Sequence, residues 1–232
     1  MYRLIKRFID ISISSFFIIL LMPFCLIIII ILKCTGEGKV FYLQRRIGKN
    51  NKPFNIYKFI TMRKGSESAG SITYKSDPRI LPFGKFLRNT KINEIPQLFN
   101  IFKGDISIVG PRPLVEEGFL QYPENVQKLI YKDNKPGLTG MGSLFFCSEE
   151  EILTRLNKDI KTAYKEDIMP IKGELELWYR EHKNIWVDFK IIILTPLAVG
   201  FPNNQLYTKV FNNIDSGIMD RYKEILKKRA SE

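Results

Sequence analysis

An uncharged segment near the N-terminus constrains this chain more than any other feature. It runs for 22 residues, from Ile11 to Leu32, and contains five consecutive isoleucines. At ~1.5 Å rise per residue, a helix of that length matches the roughly 30 Å hydrocarbon core of a bilayer. Residues 33–37 lack the small-residue cleavage site of a signal peptide. We therefore expect a retained membrane helix, rather than a leader or the buried helix of a soluble core.

Basic residues flank both ends of this segment. Arg3, Lys6 and Arg7 precede it, and nine Lys or Arg residues against the single acid Glu37 follow it between residues 33 and 64. Because positive charge favours the cytoplasmic side, a straight span cannot satisfy both ends. Pro23 removes a backbone donor near the middle and favours a bend. The sequence therefore predicts a Pro-broken helix that enters one leaflet and returns, with a simple span as the alternative.

The charge of the chain predicts an anionic partner. The formal net charge is +12 and the isoelectric point is about 9.5. That balance suits a nucleic acid, an anionic membrane or a phosphorylated substrate. No RNP, zinc-binding or helix-turn-helix signature is present, so we expect no nucleic-acid partner. With three scattered cysteines and His182 as its single histidine, the chain has little material for a disulfide framework or a histidine-based site.

The remaining sequence predicts a mainly helical domain of the α/β class. Aromatic and β-branched residues alternate around the Asn-Asn-Lys-Pro turn at residues 50–53, which is typical of a β-hairpin. Charged pairs at helical spacing between residues 149 and 181 predict exposed amphipathic helices. We expect three parts: residues 1–36 form a membrane-inserted helix, 37–205 a cytoplasmic domain, and 206–232 a polar tail.

The stretch "KINEIPQLFNIFKGDISIVGPRP", residues 91–113, combines helix, turn and strand signals. Asn93 is a suitable N-cap, and Glu94 falls in the positively biased first turn of the helix that follows. Gly104 is expected to end that helix, and "DISIV" alternates as a short strand. Prolines on both sides of Arg112 lower the entropy lost when its guanidinium is aimed. Such a group suits a diphosphate.

Several motifs together resemble those of the bacterial sugar transferases, the monotopic phosphoglycosyl transferases. They are the Pro-broken apolar segment, "QRRIG", "FNIYKF" with "TMR", "FLRNTKINEIPQLFNIFKGDISIVGPRP", "KPGLTG" and "LWYREHKNIWVDFKIIILT". The resemblance covers most of the chain. It implies a re-entrant helix and a cytoplasmic catalytic part on the bacterial inner membrane.

The resemblance also implies an activity. Such enzymes transfer a phosphosugar from a nucleotide diphosphate sugar, usually a UDP-sugar, to polyprenyl (undecaprenyl) phosphate, with Mg²⁺, in the first step of surface glycan synthesis. Here the implied catalytic residues are Glu94 and Asn93, with Glu94 also the metal ligand. The implied substrate-binding cations are Arg45, Arg46, Lys58, Arg88 and Arg112.

Asn93 departs from the family pattern, which has a nucleophilic Asp at this position. A carboxamide oxygen is neutral and a poor nucleophile. Three alternatives follow: direct attack by the acceptor with Glu94 as base or metal ligand, glycosyl transfer from the same donor class, or an inactive membrane scaffold for glycan assembly. Asp105 is a further candidate carboxylate, for which we favour a structural or metal-side role over that of nucleophile. Met22 before Pro23 and Met141 after the "KPGLTG" motif also differ from the family pattern.

Overall fold

A computed structural model describes residues 1–35, 38–63, 65–66, 78–156, 159–201 and 204–227. The chain divides into two compact units. The small unit comprises Arg7–Arg45 and Asn55–Gly104, and the large unit comprises Met1–Lys6, Arg46–Phe54 and Asp105–Glu232. The predicted division into residues 1–36, 37–205 and 206–232 stays a prediction, and its boundary at residues 36 and 37 lies outside the described residues.

Helix α1 (Tyr2–Thr35) contains the apolar segment. It is long and apolar enough to cross a bilayer, and 11% of its most apolar 18-residue window is buried. The helix continues through Pro23, so the predicted break in its secondary structure is not observed. Proline removes only its own N–H from the helical ladder, and the turns on either side keep theirs. The re-entrant path stays a prediction.

The predicted β-hairpin is confirmed. Strands β1 (Phe41–Ile47) and β2 (Pro53–Phe59) pair, and a 3₁₀ turn (Lys49–Asn51) joins them. Asn50 and Asn51 both take left-handed φ angles, 56° and 57°. Asparagine tolerates this conformation better than most residues, which explains why the Asn-Asn pair marks the turn.

The small unit also contains α2 (Pro82–Asn89), a 3₁₀ turn (Ile92–Glu94) and α3 (Gln97–Lys103). Its core packs residues of α1, β2 and α2 together, including Ile28, Leu32, Phe59 and Leu87. At the C-terminus of α3, the Arg7 guanidinium donates to the carbonyls of Ile101 and Phe102, at 2.7 and 2.6 Å. A cation at this end of a helix satisfies carbonyls that have no partner within the helix.

Two short parallel strands organise the large unit. Strand β3 (Ser107–Val109) confirms the strand predicted in "DISIV", and it pairs with β4 (Gly137–Thr139). Ser107 lies opposite Gly137, and Val109 opposite Thr139. A β-carbon at Gly137 would overlap the main-chain nitrogen of Gly110, so only glycine allows this approach.

The rest of the large unit is helical. In chain order the helices are α4 (Glu116–Phe119), α5 (Glu124–Leu129), α6 (Met141–Phe145), α7 (Glu149–Arg155), α8 (Ile160–Ala163), a π-helical turn (Tyr164–Ile168), α9 (Met169–His182), α10 (Ile185–Gly200), α11 (Leu206–Val210) and α12 (Ser216–Lys227). The main core lies among α6, α9, α10 and α12. Residues 149–181 were expected to form exposed amphipathic helices, but Lys172 and Glu176 within them are buried.

The described residues beyond 205 are more than a polar tail. Ile218, Met219, Tyr222 and Ile225 of α12 are buried in the main core of the large unit. They recur at the spacing of one helical face, and that signal was present in the sequence.

A buried carboxylate anchors the N-terminal residues within the large unit. Asp188 of α10 accepts hydrogen bonds from the Tyr2 hydroxyl at 2.9 Å, from Lys6 Nζ at 2.6 Å and from the Tyr179 hydroxyl at 2.6 Å. The side chains of Lys6 and Asp188 are 17% and 9% exposed. A charge at this depth needs its partners, because an unpaired buried charge is strongly destabilising.

We predict that Asp188→Ala lowers the free energy of unfolding by about 3 kcal/mol, because it leaves Lys6 without its carboxylate partner. Urea unfolding of detergent-solubilised protein measures this difference. Lys128→Ala is the control, since the Lys128–Glu124 pair is exposed and should contribute less than about 0.5 kcal/mol. Equal losses in both variants would contradict the prediction.

Candidate functional site

The Asn93–Glu94 pair lies in the 3₁₀ turn between α2 and α3. The prediction that Asn93 is an N-cap is wrong, because α3 begins two residues after Ile95 and has Pro96 at its N-cap position. Lys91 takes a left-handed φ of 59°, and this tightens the chain into a separate turn before the helix. The end of α3 is as predicted, with Gly104 at a φ of 92°.

Asn93 and Glu94 have different environments. Asn93 is 8% exposed, and its Oδ1 has no hydrogen-bond partner within the part of the chain that the structure describes. The Glu94 side chain is 22% exposed, and its Oε1 lies 3.9 Å from Lys58 Nζ. The turn therefore presents a buried amide oxygen and, next to it in sequence, a partly exposed carboxylate beside a cation.

Asn100 ties α3 to the strand that carries Lys58. Its Nδ2 donates to the Asn55 carbonyl and its Oδ1 accepts from the Tyr57 N–H, both at 2.8 Å. Asn100 is fully buried, so these bonds are protected from water. They help to fix the segment that follows the Asn93–Glu94 turn against β2. The sequence gave no signal for this role, since asparagine in a helix usually reads as a surface residue.

The five predicted substrate-binding cations are divided between the two units. Arg45, Lys58 and Arg88 belong to the small unit, on β1, on β2 and in the last turn of α2. Arg46 and Arg112 belong to the large unit. Of these residues, Lys58 forms an ion pair with Glu94. The roles of all five in substrate binding stay predictions.

An apolar cavity of about 150 Å³ lies within the small unit. Its lining contains Ile18, Leu21, Met22, Cys25, Leu26, Ile29, Phe41, Phe59, Ile95, Pro96, Leu98 and Phe99. Ile95 and Pro96 directly follow Glu94 in the chain, while six of the lining residues come from α1 on both sides of Pro23. The residue that follows the candidate catalytic Glu94 in sequence thus lines an apolar cavity.

The Pro-Arg-Pro segment of the large unit follows β3. Its three carbonyls all accept hydrogen bonds: Pro111 from the Gly137 N–H at 2.9 Å, Arg112 from the Tyr131 hydroxyl at 2.6 Å, and Pro113 from Arg46 Nη1 at 3.1 Å. Arg46 therefore commits one guanidinium N–H to this segment. The sequence gave no sign of this role for Tyr131, because an aromatic residue at this position is typical of a core.

Two further buried ionisable residues of α9 lie in the large unit. Glu176 is fully buried, and burial raises its pKa to about 8, although hydrogen bonding from Gly142 and the nearby Lys172 act against the shift. Lys172 binds both carboxylate oxygens of Glu149, at 2.9 and 3.0 Å. Burial lowers the pKa of Lys172, but Glu149 and Tyr164 outweigh burial, so the net shift is upward.

The residues at the Asn93–Glu94 turn provide oxygen donors of the kind that Mg²⁺ prefers. Among the described ranges, no three His, Cys, Asp or Glu residues are close enough to form a metal site by themselves. Mg²⁺ usually takes most of its ligands from water and substrate phosphates, so one protein carboxylate is enough to bind it. Glu94 would supply that carboxylate, and the buried Asn93 Oδ1 is a second oxygen on the same turn.

Comparison with known proteins identifies the class to which this architecture belongs. The family model described as bacterial sugar transferase matches residues 1–201. The chain therefore belongs to the bacterial sugar transferase family, as its motifs indicated.

Three relatives have named activities. The UDP-glucose:undecaprenyl-phosphate glucose-1-phosphate transferase of Klebsiella pneumoniae is 35% identical over 206 residues, which cover 87% of this chain and 41% of that protein. The enzyme of the same name from Escherichia coli K12 is 32% identical, with 88% and 42% covered. The UDP-N-acetylgalactosamine-undecaprenyl-phosphate N-acetylgalactosaminephosphotransferase of Aeromonas hydrophila is 32% identical, with 84% and 43% covered. The chain thus spans about two fifths of the length of these relatives.

The raised pKa of Glu176 predicts a dependence of stability on pH. Between the ordinary glutamate value of 4.5 and about 8, the folded state keeps a proton that the unfolded chain has released. The free energy of unfolding should therefore fall as pH rises through this window. Glu176→Gln cannot titrate, so we predict that it becomes more stable than wild type as pH rises, by roughly 4 kcal/mol at most across the window.

Urea unfolding at pH 5 and pH 8 tests this sign. The control is Glu124→Gln, because the Glu124 side chain is 88% exposed and its substitution should have a small effect at either pH. A stability difference between Glu176→Gln and wild type that does not change with pH would contradict the assignment.

Proposed function

We propose that this protein transfers a phosphosugar from a nucleotide diphosphate sugar, of the UDP-sugar class, to polyprenyl phosphate. The observation that carries the proposal is the adjacency within the small unit of the Asn93–Glu94 turn and the apolar cavity, whose lining begins at Ile95. A polyprenyl phosphate has an anionic head and an isoprenoid chain, and it needs both environments side by side. Family membership and the named activities of the relatives support the same reaction.

In the proposed reaction, an oxygen of the acceptor phosphate attacks the sugar-bearing phosphorus of the donor. The bond from that phosphorus to the bridging oxygen breaks, and the nucleoside monophosphate leaves with the electron pair. The acceptor phosphate is largely ionised at neutral pH, so the attack requires little proton removal. The products are a polyprenyl diphosphate sugar and a nucleoside monophosphate, and this step begins surface glycan assembly.

The protein residues position the reactants and neutralise charge, on which phosphoryl transfer mainly depends. Arg45, Lys58 and Arg88 are the proposed donor-binding cations of the small unit, and the roles that the sequence predicts for Arg46 and Arg112 of the large unit stay predictions. Glu94 would hold Mg²⁺, which would neutralise part of the diphosphate charge when bound. The Lys58 ammonium lies 3.9 Å from the Glu94 carboxylate and balances its charge, and it would donate a hydrogen bond to a phosphate oxygen of the donor.

Asn93 favours direct transfer over a covalent intermediate. Its Oδ1 is neutral and buried, so it lacks the charge of an attacking carboxylate. A neutral side chain at residue 93 is also compatible with two other classes of function. In one, the acceptor attacks the anomeric carbon and the protein is a glycosyl transferase; in the other, it is an inactive membrane scaffold for glycan assembly.

We also propose that the protein acts at the cytoplasmic face of the bacterial inner membrane. Large apolar side chains are exposed along α1, including Phe8, Phe16, Leu20 and Ile27. A bilayer would cover these side chains, and the basic residues on both flanks favour a re-entrant path with both ends in the cytoplasm.

The first test identifies the nucleotide that is released. Purified full-length protein is incubated with Mg²⁺, polyprenyl phosphate and a panel of nucleotide diphosphate sugars. We predict that wild type releases a nucleoside monophosphate. The rate of this release should be at least about 100-fold lower in Glu94→Gln, because the variant lacks the carboxylate charge at the donor site. Glu116→Gln, at an exposed position, should keep the wild-type rate.

Other outcomes select the alternatives. Release of a nucleoside diphosphate would mean glycosyl transfer. If wild type releases no nucleotide but Asn93→Asp does, the protein is a scaffold that has lost its nucleophile. Turnover that survives in Asp105→Asn would remove Asp105 as a substitute nucleophile.

The acceptor cavity makes a separate prediction. Cys25→Phe places a ring in the cavity, so the KM for polyprenyl phosphate should rise about tenfold while the KM for the nucleotide sugar stays unchanged. Cys34→Phe is a matched control, because Cys34 is exposed on the same helix and is not among the cavity residues. An equal rise in both variants, or a rise in the KM for the donor alone, would count against an isoprenoid occupant.

A further inference from the structure

Helix α10 is apolar on two faces, and one of them is exposed. The buried face packs in the main core of the large unit through Val187, Ile191, Leu194 and Ala198. The exposed face carries large apolar side chains at the spacing of one helical face, between 38% and 74% exposed, which we name the α10 stripe: Trp186, Phe189, Ile193 and Leu197. A helix that is apolar on both faces is normally covered on both, so the α10 stripe indicates a binding partner.

The α10 stripe is too short to cross a bilayer. Trp186 and Leu197 are 11 residues apart in sequence. At ~1.5 Å rise per residue they are about 16 Å apart along the helix, against roughly 30 Å for the hydrocarbon core. A helix with one face packed on protein and one apolar face free lies parallel to the bilayer surface, roughly 5–10 Å deep at the boundary of headgroups and acyl chains. Tryptophan is enriched at that boundary.

The start of α10 is tied to the chain segment that leads into the apolar part of α1. Asp188, in the first turn of α10, accepts hydrogen bonds from the Tyr2 hydroxyl at 2.9 Å and from Lys6 Nζ at 2.6 Å. Helix α1 continues without interruption from Lys6 to Ile11, where the uncharged segment begins. The bilayer that covers this segment is therefore the partner nearest to α10 along the chain.

The charge at the edge of the α10 stripe fits an anionic lipid surface. Lys190 lies four residues after Trp186 and three before Ile193, which places it on the same side of the helix. Its side chain is exposed, and its Nζ lies 5.9 Å from the centre of the Phe211 ring. A lysine at such a border keeps its stem on apolar surface and its ammonium at the depth of lipid phosphates.

A second copy of the chain fits the same face less well. Two copies that met through the α10 stripe would bring two chains of net charge +12 together, with Lys190 at the border of each face. Anionic phospholipids instead neutralise that charge. The charge of the chain therefore favours lipid as the occupant.

We propose that the α10 stripe is a membrane-binding surface of the large unit: α10 lies parallel to the bilayer, with its stripe among the acyl chains and Lys190 at the phosphates of anionic phospholipids. The inference rests on the proposed membrane location and is independent of the proposed reaction. The large unit then binds the bilayer through a face of its own, in addition to the attachment that α1 provides.

The two tryptophans of the chain provide the test. Trp186 is 74% exposed on the α10 stripe, whereas Trp178 is 7% exposed in the main core. Trp178→Phe leaves Trp186 as the single fluorophore, and Trp186→Phe leaves Trp178. Both full-length variants are reconstituted into vesicles of phosphatidylcholine and phosphatidylglycerol, with or without brominated acyl chains, which quench tryptophan emission on contact.

Brominated lipid should lower the emission of Trp186 at least about twofold and leave that of Trp178 unchanged. Bromine near the headgroup end of the acyl chains should quench Trp186 more than bromine near the methyl end. Equal quenching of the two tryptophans would overturn the inference. So would a blue shift of Trp186 emission that depends on protein concentration in detergent without quenching by brominated lipid, because it would show a second copy on this face.

Flotation of the vesicles separates this inference from the proposed location. Protein that floats with the vesicles while Trp186 stays unquenched would refute the inference alone. Protein that does not float would refute the membrane location and the inference together. The nucleotide-release assay tests the reaction independently of both outcomes.

Lipid composition tests the role of Lys190. In the Trp178→Phe background, Lys190→Gln should reduce quenching of Trp186 in vesicles that contain phosphatidylglycerol and have no effect in pure phosphatidylcholine. Lys128→Gln is the matched control, since the Lys128 side chain is 75% exposed on α5. An equal effect of the two substitutions would refute the contact between Lys190 and lipid phosphates.

Discussion

The close main-chain approach of Gly110 and Gly137 is the constraint on which the large unit depends. Strands of three residues contribute few ladder hydrogen bonds, and parallel pairing is the weaker kind. The pair is held because glycine lets the two backbones meet without a side chain between them. The Pro-Arg-Pro segment follows β3 and α6 follows β4, so the positions of both depend on this contact. Ligands of sheets with parallel strands commonly bind beyond the carboxyl ends of the strands, and Arg112 lies there.

Much of the local structure was predictable because its causes are local. The Asn-Asn pair sets the hairpin turn through its left-handed φ angles, and Gly104 ends α3 for the same steric reason. The strand "DISIV" also follows from a short-range pattern. In the candidate site, Glu94 and Lys58 were both identified from the sequence, and the structure brings them within 3.9 Å.

The rest depends on partners far apart in the chain. From the sequence, Glu176 and Lys172 were predicted to be surface charges because their neighbours are charged. Their burial comes from α6 packing on α9, and Lys172 also pairs with Glu149. Asn93 has a residue type that is common at N-caps, but Lys91 takes a left-handed φ and forms a separate turn before the helix. Tyr131 and Asn100 act through main-chain groups 19 or more residues away, and no periodic pattern marks such contacts.

The Asp188 anchor has a consequence for any attempt to obtain a water-soluble form of this protein. Tyr2 and Lys6 precede the apolar segment in sequence, yet they complete a buried polar network of the large unit. Deleting residues 1–36 to remove the apolar helix would therefore also remove two of the three groups described here as hydrogen-bonded to that carboxylate. A truncation made for solubility would thus destabilise the large unit. A soluble version would need polar replacements along α1 that keep its first turns, or a second change at Asp188 itself.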